Sequence, residues 1–118
     1  MTPVNQTQFG LAHGNCEQAA VASILGLPLD AVPDFIEQSN FAASYVDFLR
    51  SKGFAVVVVP PNRKPDCYYM AVGASEATGH PHACVYREGE LVHDPHPGRR
   101  GLSRVDEVHL FVPIEIAL

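Results

Sequence analysis

The chain has 118 residues, 47 % of them hydrophobic, and a formal net charge of −5. That is material for one packed core and one domain, 1–118, and the acidic balance leaves no basic block to neutralise nucleic-acid phosphates. No run of about twenty apolar residues exists to cross a bilayer, so no membrane partner is expected.

Residues 1–14 read as an extended lead-in with turn points at Gly10 and Gly14. Met1 to Gln8 is polar and lacks the charged-then-apolar layout of a secretory signal. A first helix is predicted from about Cys16 to Leu25, opened by Asn15 as N-cap with Gln18 as its capping-box partner and ended by Gly26. Its interior is nearly all small or apolar, so it should be buried almost all round. Leu27 to Pro33 reads as a single helical turn between prolines. Asn40 caps a second, amphipathic helix to about Lys52, with Phe41, Tyr45, Phe48 and Leu49 on one face and Gly53 as its stop.

The second half changes period. Phe54 to Val59 is β-branched and reads as a buried strand. Pro60, Pro61 and Pro65 bracket a loop. Further strands are predicted at Cys67 to Val72, His82 to Tyr86, Leu91 to His93 and Val108 to Ile114, and Pro113 argues that the last one ends at, or lies on, a sheet edge. Helices followed by antiparallel strands make an α+β fold, with N-terminal helices packed on a C-terminal sheet.

Two registers are open to the hairpin around Arg87-Glu88-Gly89. A two-residue loop pairs Ala83 with Asp94 and sends His82 to the opposite face. A three-residue loop with Gly89 in the left-handed region pairs Tyr86 with Glu90, Cys84 with Val92 and His82 with Asp94, and is preferred because glycine stands where positive φ is required. A carboxylate opposite an imidazole fixes its tautomer and stabilises the imidazolium.

Cys16 falls in the first turn of the first helix, where free N–H groups and the macrodipole favour a thiolate. It is the candidate nucleophile, with His82 as candidate base. Three cysteines (Cys16, Cys67, Cys84) leave at least one free thiol and fit a reducing, cytoplasmic setting. Cys67 and Cys84 read as inert core thiols in strands.

An N-terminal helix opened by cysteine, followed by a β half with His and then Asp, resembles the papain-like cysteine peptidase superfamily, closest to its small peptidase C39-like group. The matching segments are Gln6 and Gln8 upstream, Gly14-Asn15-Cys16, His82-Ala83-Cys84-Val85 and Val92-His93-Asp94-Pro95, within about residues 6 to 97. The chain also resembles small proteins of bacteria and their phages with a Gly-Asn-Cys opening and a His-Asp-Pro-His-Pro segment. The superfamily resemblance implies a Cys16–His82–Asp94 triad and a glutamine oxyanion donor, Gln6 or alternatively Gln8. It implies a thiol hydrolase acting on a peptide or protein substrate, with no metal or organic cofactor. The bond could be a peptide, isopeptide or side-chain amide, and an amine acceptor would make the enzyme a transferase.

Asn15, His93 and His96 are expected to contact substrate, with Arg99-Arg100 on the rim favouring an acidic or C-terminal group. Two other functions remain open. A papain-like scaffold can bind without cutting, and His80, His82, Asp94 and His96 can be read as a zinc cluster.

Overall fold

A computed structural model describes residues 1–115. The first helix, α1, spans Cys16–Leu25, and the unbroken stretch Gln18 to Ser23 is buried, as its lack of a polar face requires. Gly26 ends it in the left-handed conformation, with φ 68°. Leu29–Ala31 forms a short 3-10 turn, as expected, and a second one at Phe35–Glu37 was not foreseen. Helix α2 spans Phe41–Ser51, and the Asn40 side chain accepts from the Ala43 N–H as a true N-cap.

Phe35 binds these pieces together. It is 1 % exposed and stands edge-on to Phe41, Tyr45 and Phe48 of α2. Aromatic pairs at these angles add to the burial term itself.

Five strands follow: β1 Phe54–Val59, β2 Tyr69–Ser75, β3 Pro81–Arg87, β4 Glu90–His93 and β5 Leu102–Pro113. They form one antiparallel sheet in the order β1-β5-β2-β3-β4. The α+β expectation therefore holds, with both helices and the sheet in one core. Among the described residues no helix is long and apolar enough to cross a membrane.

The two sheet faces divide by alternation. Met70, Ala83 and Val85 meet the helices, while Tyr69, Ala71, Cys84 and Tyr86 pack on the opposite side. Gly73 marks a close approach: a Cβ there would sit 1.8 Å from the Arg104 carbonyl oxygen, where β5 carries the extra residue Asp106.

Three strand readings need correction. β1 has the predicted bounds but is an edge strand, and Val57 and Val58 are exposed. Its β-branched run satisfies strand propensity without being buried. β5 begins at Leu102, six residues before the predicted start, because alternation is hidden by the charges of Arg104, Asp106 and Glu107. Pro113 closes β5, which is an inner strand lying between β1 and β2. β2 starts at Tyr69, so Cys67 precedes the strand and is exposed rather than a core thiol.

Candidate active site: a thiol and a buried imidazole–carboxylate pair beside one cavity

The β3–β4 hairpin does not use the predicted loop. Arg87 pairs with Glu90 across a two-residue turn, and Glu88 and Gly89 both have positive φ, 52° and 79°. That is a type I′ arrangement, whose twist suits a tight hairpin. Taken alone it would have parted His82 from Asp94. The chain restores the face with a bulge: Tyr86 pairs with Leu91, but Val85 pairs with His93, leaving Val92 as the extra residue. Carried one residue further, this register sets Asp94 across from Cys84 and diagonal to His82.

The outcome is a direct contact. His82 Nε2 lies 2.6 Å from Asp94 Oδ1, with both side chains almost wholly buried. The backbone fastens the carboxylate as well: His96 N–H donates to Oδ1 and Gly101 N–H to Oδ2, each at 2.9 Å. Burial alone would raise the Asp94 carboxyl, but the imidazole and these two N–H donors outweigh it and hold it at about 2. Burial likewise opposes a charged His82. Asp94 first, then the thiols of Cys16 and Cys84, outweigh it and raise the imidazole well above its ordinary value.

Cys16 is the first residue of α1 and half-buried, and its thiol adds to the larger effect of Asp94 in raising His82. Nε2 of His82 is engaged with Asp94, which leaves Nδ1 as the other ring nitrogen. Cys16 and His82 line one cavity of about 170 Å³, together with Gln6, Glu17, Asp34 and His96. That volume is close to the ~150 Å³ of an engineered apolar cavity that admits benzene.

Asn15 does not cap α1. Its Oδ1 accepts from the N–H groups of Thr7 and Gln8, and its Nδ2 donates to Thr7 Oγ1 and Gln18 Oε1. Gln18 in turn donates to the carbonyls of Leu29 and Val32. The expected capping box is thus replaced by a relay that staples the lead-in to the helix and to the following 3-10 turn. The consequence is chemical: the first turn of α1 beside Cys16 keeps its N–H groups free of a side-chain cap.

The other expected site residues divide. Gln6 lines the cavity and is 8 % exposed. Its backbone N–H donates to Pro95 and its Nε2 to the Gln8 carbonyl, and its Oε1 is buried with no partner. The Gln8 contact sets the amide orientation, since a flipped amide would oppose two oxygens. Asn15 also lines the cavity; it is buried, with its carboxamide engaged inside the chain, where it ties the lead-in to the helix mouth.

His93 is buried away from the cavity, and its Nε2 donates to the Val4 carbonyl at 2.8 Å, pinning the lead-in to the sheet. His96 does border the cavity, edge-on to both His82 and Phe9. Arg99 donates to the backbone carbonyls of Asp94 and His96, and Arg100 lies 3.6 Å from Glu76; neither lines the cavity.

The grouping of metal-binding atoms differs from the predicted cluster. His82, Cys84 and Asp94 bring one ligand atom each within 4.8 Å of one another, and His80 and His96 are not among them. His80 lies in the loop ahead of β3, its N–H donating to Thr78 Oγ1. Cys84 is fully buried, and burial pushes its thiol up to about 11. Its place beside His82 was legible, because residues two apart on a strand share a face. Glu17 and Asp34 left no such signal; they reach the cavity only through the packing of α1 and the second 3-10 turn.

Comparison with protein-family models, curated proteins and solved structures finds no match to this chain.

Proposed function

We propose that the protein is a papain-like, C39-like thiol hydrolase acting on an amide bond of a peptide or protein substrate. The observation that carries the reading is the buried 2.6 Å His82–Asp94 pair beside a cavity that Cys16 enters from the first turn of a helix. In this mechanism His82 holds the proton of Cys16, and the resulting thiolate attacks the substrate carbonyl. The uncapped N–H of Cys16 and the second N–H of Gln6 receive the oxyanion. His82 then gives its proton to the leaving amine, and water enters to release the acyl group. Asp94 keeps Nε2 protonated and the ring in position throughout, so Nδ1 does the transfer.

A brief pulse of iodoacetamide at neutral pH, read by intact mass with the modified cysteine mapped, tests this. Cys67 is more exposed than Cys16, so simple access favours Cys67. The proposal requires Cys16 to react first, and His82→Ala to remove that advantage. Labelling in order of exposure would leave a papain-like binding module instead.

A zinc site is the second reading, favoured by the convergence of His82, Cys84 and Asp94. Thiolate, imidazole and carboxylate are all zinc ligands. Stoichiometric zinc by elemental analysis, with unfolding on chelation, would support it.

A further inference from the structure

The walls of the cavity beside Cys16 are unequal in charge. Glu17 and Asp34 line it, and among the described residues no lysine or arginine does. Among the described residues, the two side-chain atoms of cavity-lining residues that are buried without a hydrogen-bond partner are both acceptors, Gln6 Oε1 and Asp34 Oδ1. A buried acceptor without a donor is unfavourable, so each leaves hydrogen-bonding capacity unmet on a residue of the cavity wall. Burial together with Glu107 holds the Glu17 carboxyl up at about 7, so Glu17 adds its full negative charge to the wall only above that pH. The rest of the lining includes the apolar Leu11, Ile36 and Val72.

The positive groups nearby do not cancel this. His82 is balanced by Asp94, and His13 is paired with Glu37 at the surface. Arg99 is held by backbone carbonyls and Arg100 stands near Glu76. Among the described residues that line the cavity, His82 is held as a cation but is balanced by Asp94, so the acidic or C-terminal substrate group expected from the Arg99-Arg100 pair meets no unbalanced cation there.

We infer that this cavity selects a substrate carrying a cationic nitrogen donor, an ammonium, beside the carbonyl attacked by Cys16. The inference rests on the hydrolase reading for the identity of the attacking group, while the cavity chemistry stands apart from it. An ammonium has three donors and no acceptor, which suits a wall of acceptors. The volume admits one side-chain-sized group, so this is a pocket for a single residue and not a groove for an extended chain.

Matched methanethiosulfonate reagents test the charge preference. The native protein is treated separately with the aminoethyl, aminohexyl and sulfonatoethyl reagents, and the rate of mixed-disulfide formation is mapped by cysteine. Cys67, exposed and outside the cavity, corrects for the intrinsic reactivity of each reagent. The cation-to-anion rate ratio at Cys16, divided by that at Cys67, is expected to be on the order of ten-fold or more. Asp34→Asn and Glu17→Gln should each lower it.

Faster labelling by the aminoethyl arm points to an α-ammonium next to the carbonyl, and by the aminohexyl arm to a lysine side chain. A corrected ratio near one, or one favouring the sulfonate, overturns the inference. So does a cation preference that survives both substitutions. Because the readout is a ratio, slow labelling of Cys16 by every reagent alike counts against the hydrolase reading and leaves the charge preference measurable.

Discussion

Two histidine–carboxylate pairs of this chain carry the same groups at similar separations and differ in everything else. His82 and Asp94 meet at 2.6 Å with side chains 6 % and 0 % exposed; His13 and Glu37 meet at 2.9 Å with 70 % and 51 % exposed. The first pair has two backbone N–H donors fixed on its carboxylate. The second joins the lead-in to the second 3-10 turn through water-facing groups. The lesson is that separation alone does not make a strong pair. Desolvation makes the partners depend on each other, and fixed donors make that dependence favourable.

The largest expected break is Asp94→Ala. It leaves a buried imidazole and the His96 and Gly101 N–H groups without an acceptor. The expected loss is about 3–5 kcal/mol of unfolding free energy in a urea melt. A loss below about 1 kcal/mol would place Asp94 among replaceable turn residues.

An acid titration of stability comes next. The Asp94 carboxyl is depressed in the fold, so its contribution is complete above its unfolded value near ~3.9 and is lost as pH falls through about 2. The raised His82 works from the other side: its contribution is complete below ~6.5 and is lost as pH rises through its elevated folded value. Glu17 is an acid raised to about 7, so the fold favours its protonated form, and that favour is present below ~4.5 and lost as pH rises through about 7. The wild type should lose stability between about pH 4 and 2, and Asp94→Asn should show less of that loss.

Salt sharpens the contrast. Raising ionic strength to about 1 M shortens the screening length to roughly 3 Å, which weakens the surface pair and hardly touches the buried one. A double-mutant cycle on each pair, at low and high salt, reads this directly. The smallest effect is Glu37→Ala, expected to change stability by no more than about 0.5 kcal/mol. A larger change would show that the lead-in is anchored by His13 as firmly as by Asn15.

Much of the fold was legible. α1 was placed from its small-residue run, α2 from its amphipathic period and Asn40, and β1 from its β-branched run, because each signal is local and unopposed. The start of β5 was missed where charged residues mask a strand whose partners lie far off in sequence. The second 3-10 turn at Phe35–Glu37 is too short for a periodic pattern.

In the site, the meeting of His82 with Asp94 was expected through a three-residue loop, and it is reached through a type I′ turn and a bulge at Val92. Face parity survived because a bulge and a third loop residue each add one to the count. Asn15 was a sound cap by type and position. It was diverted because Thr7 and Gln8, brought back over the helix mouth, offer it two N–H donors at once.

Sequence alone determined which segments are helix and strand, and that a thiol opens the first helix, since these depend on neighbours within a few residues. Only the tertiary structure decided that Asp94 stands across from Cys84, that His93 faces the lead-in, and that Glu17, Asp34 and Gln6 share the cavity of Cys16. Those outcomes depend on one register shift in a four-residue strand, on the path of the lead-in, and on how α1 and the second 3-10 turn pack. All are settled by packing between distant segments, which no local pattern encodes.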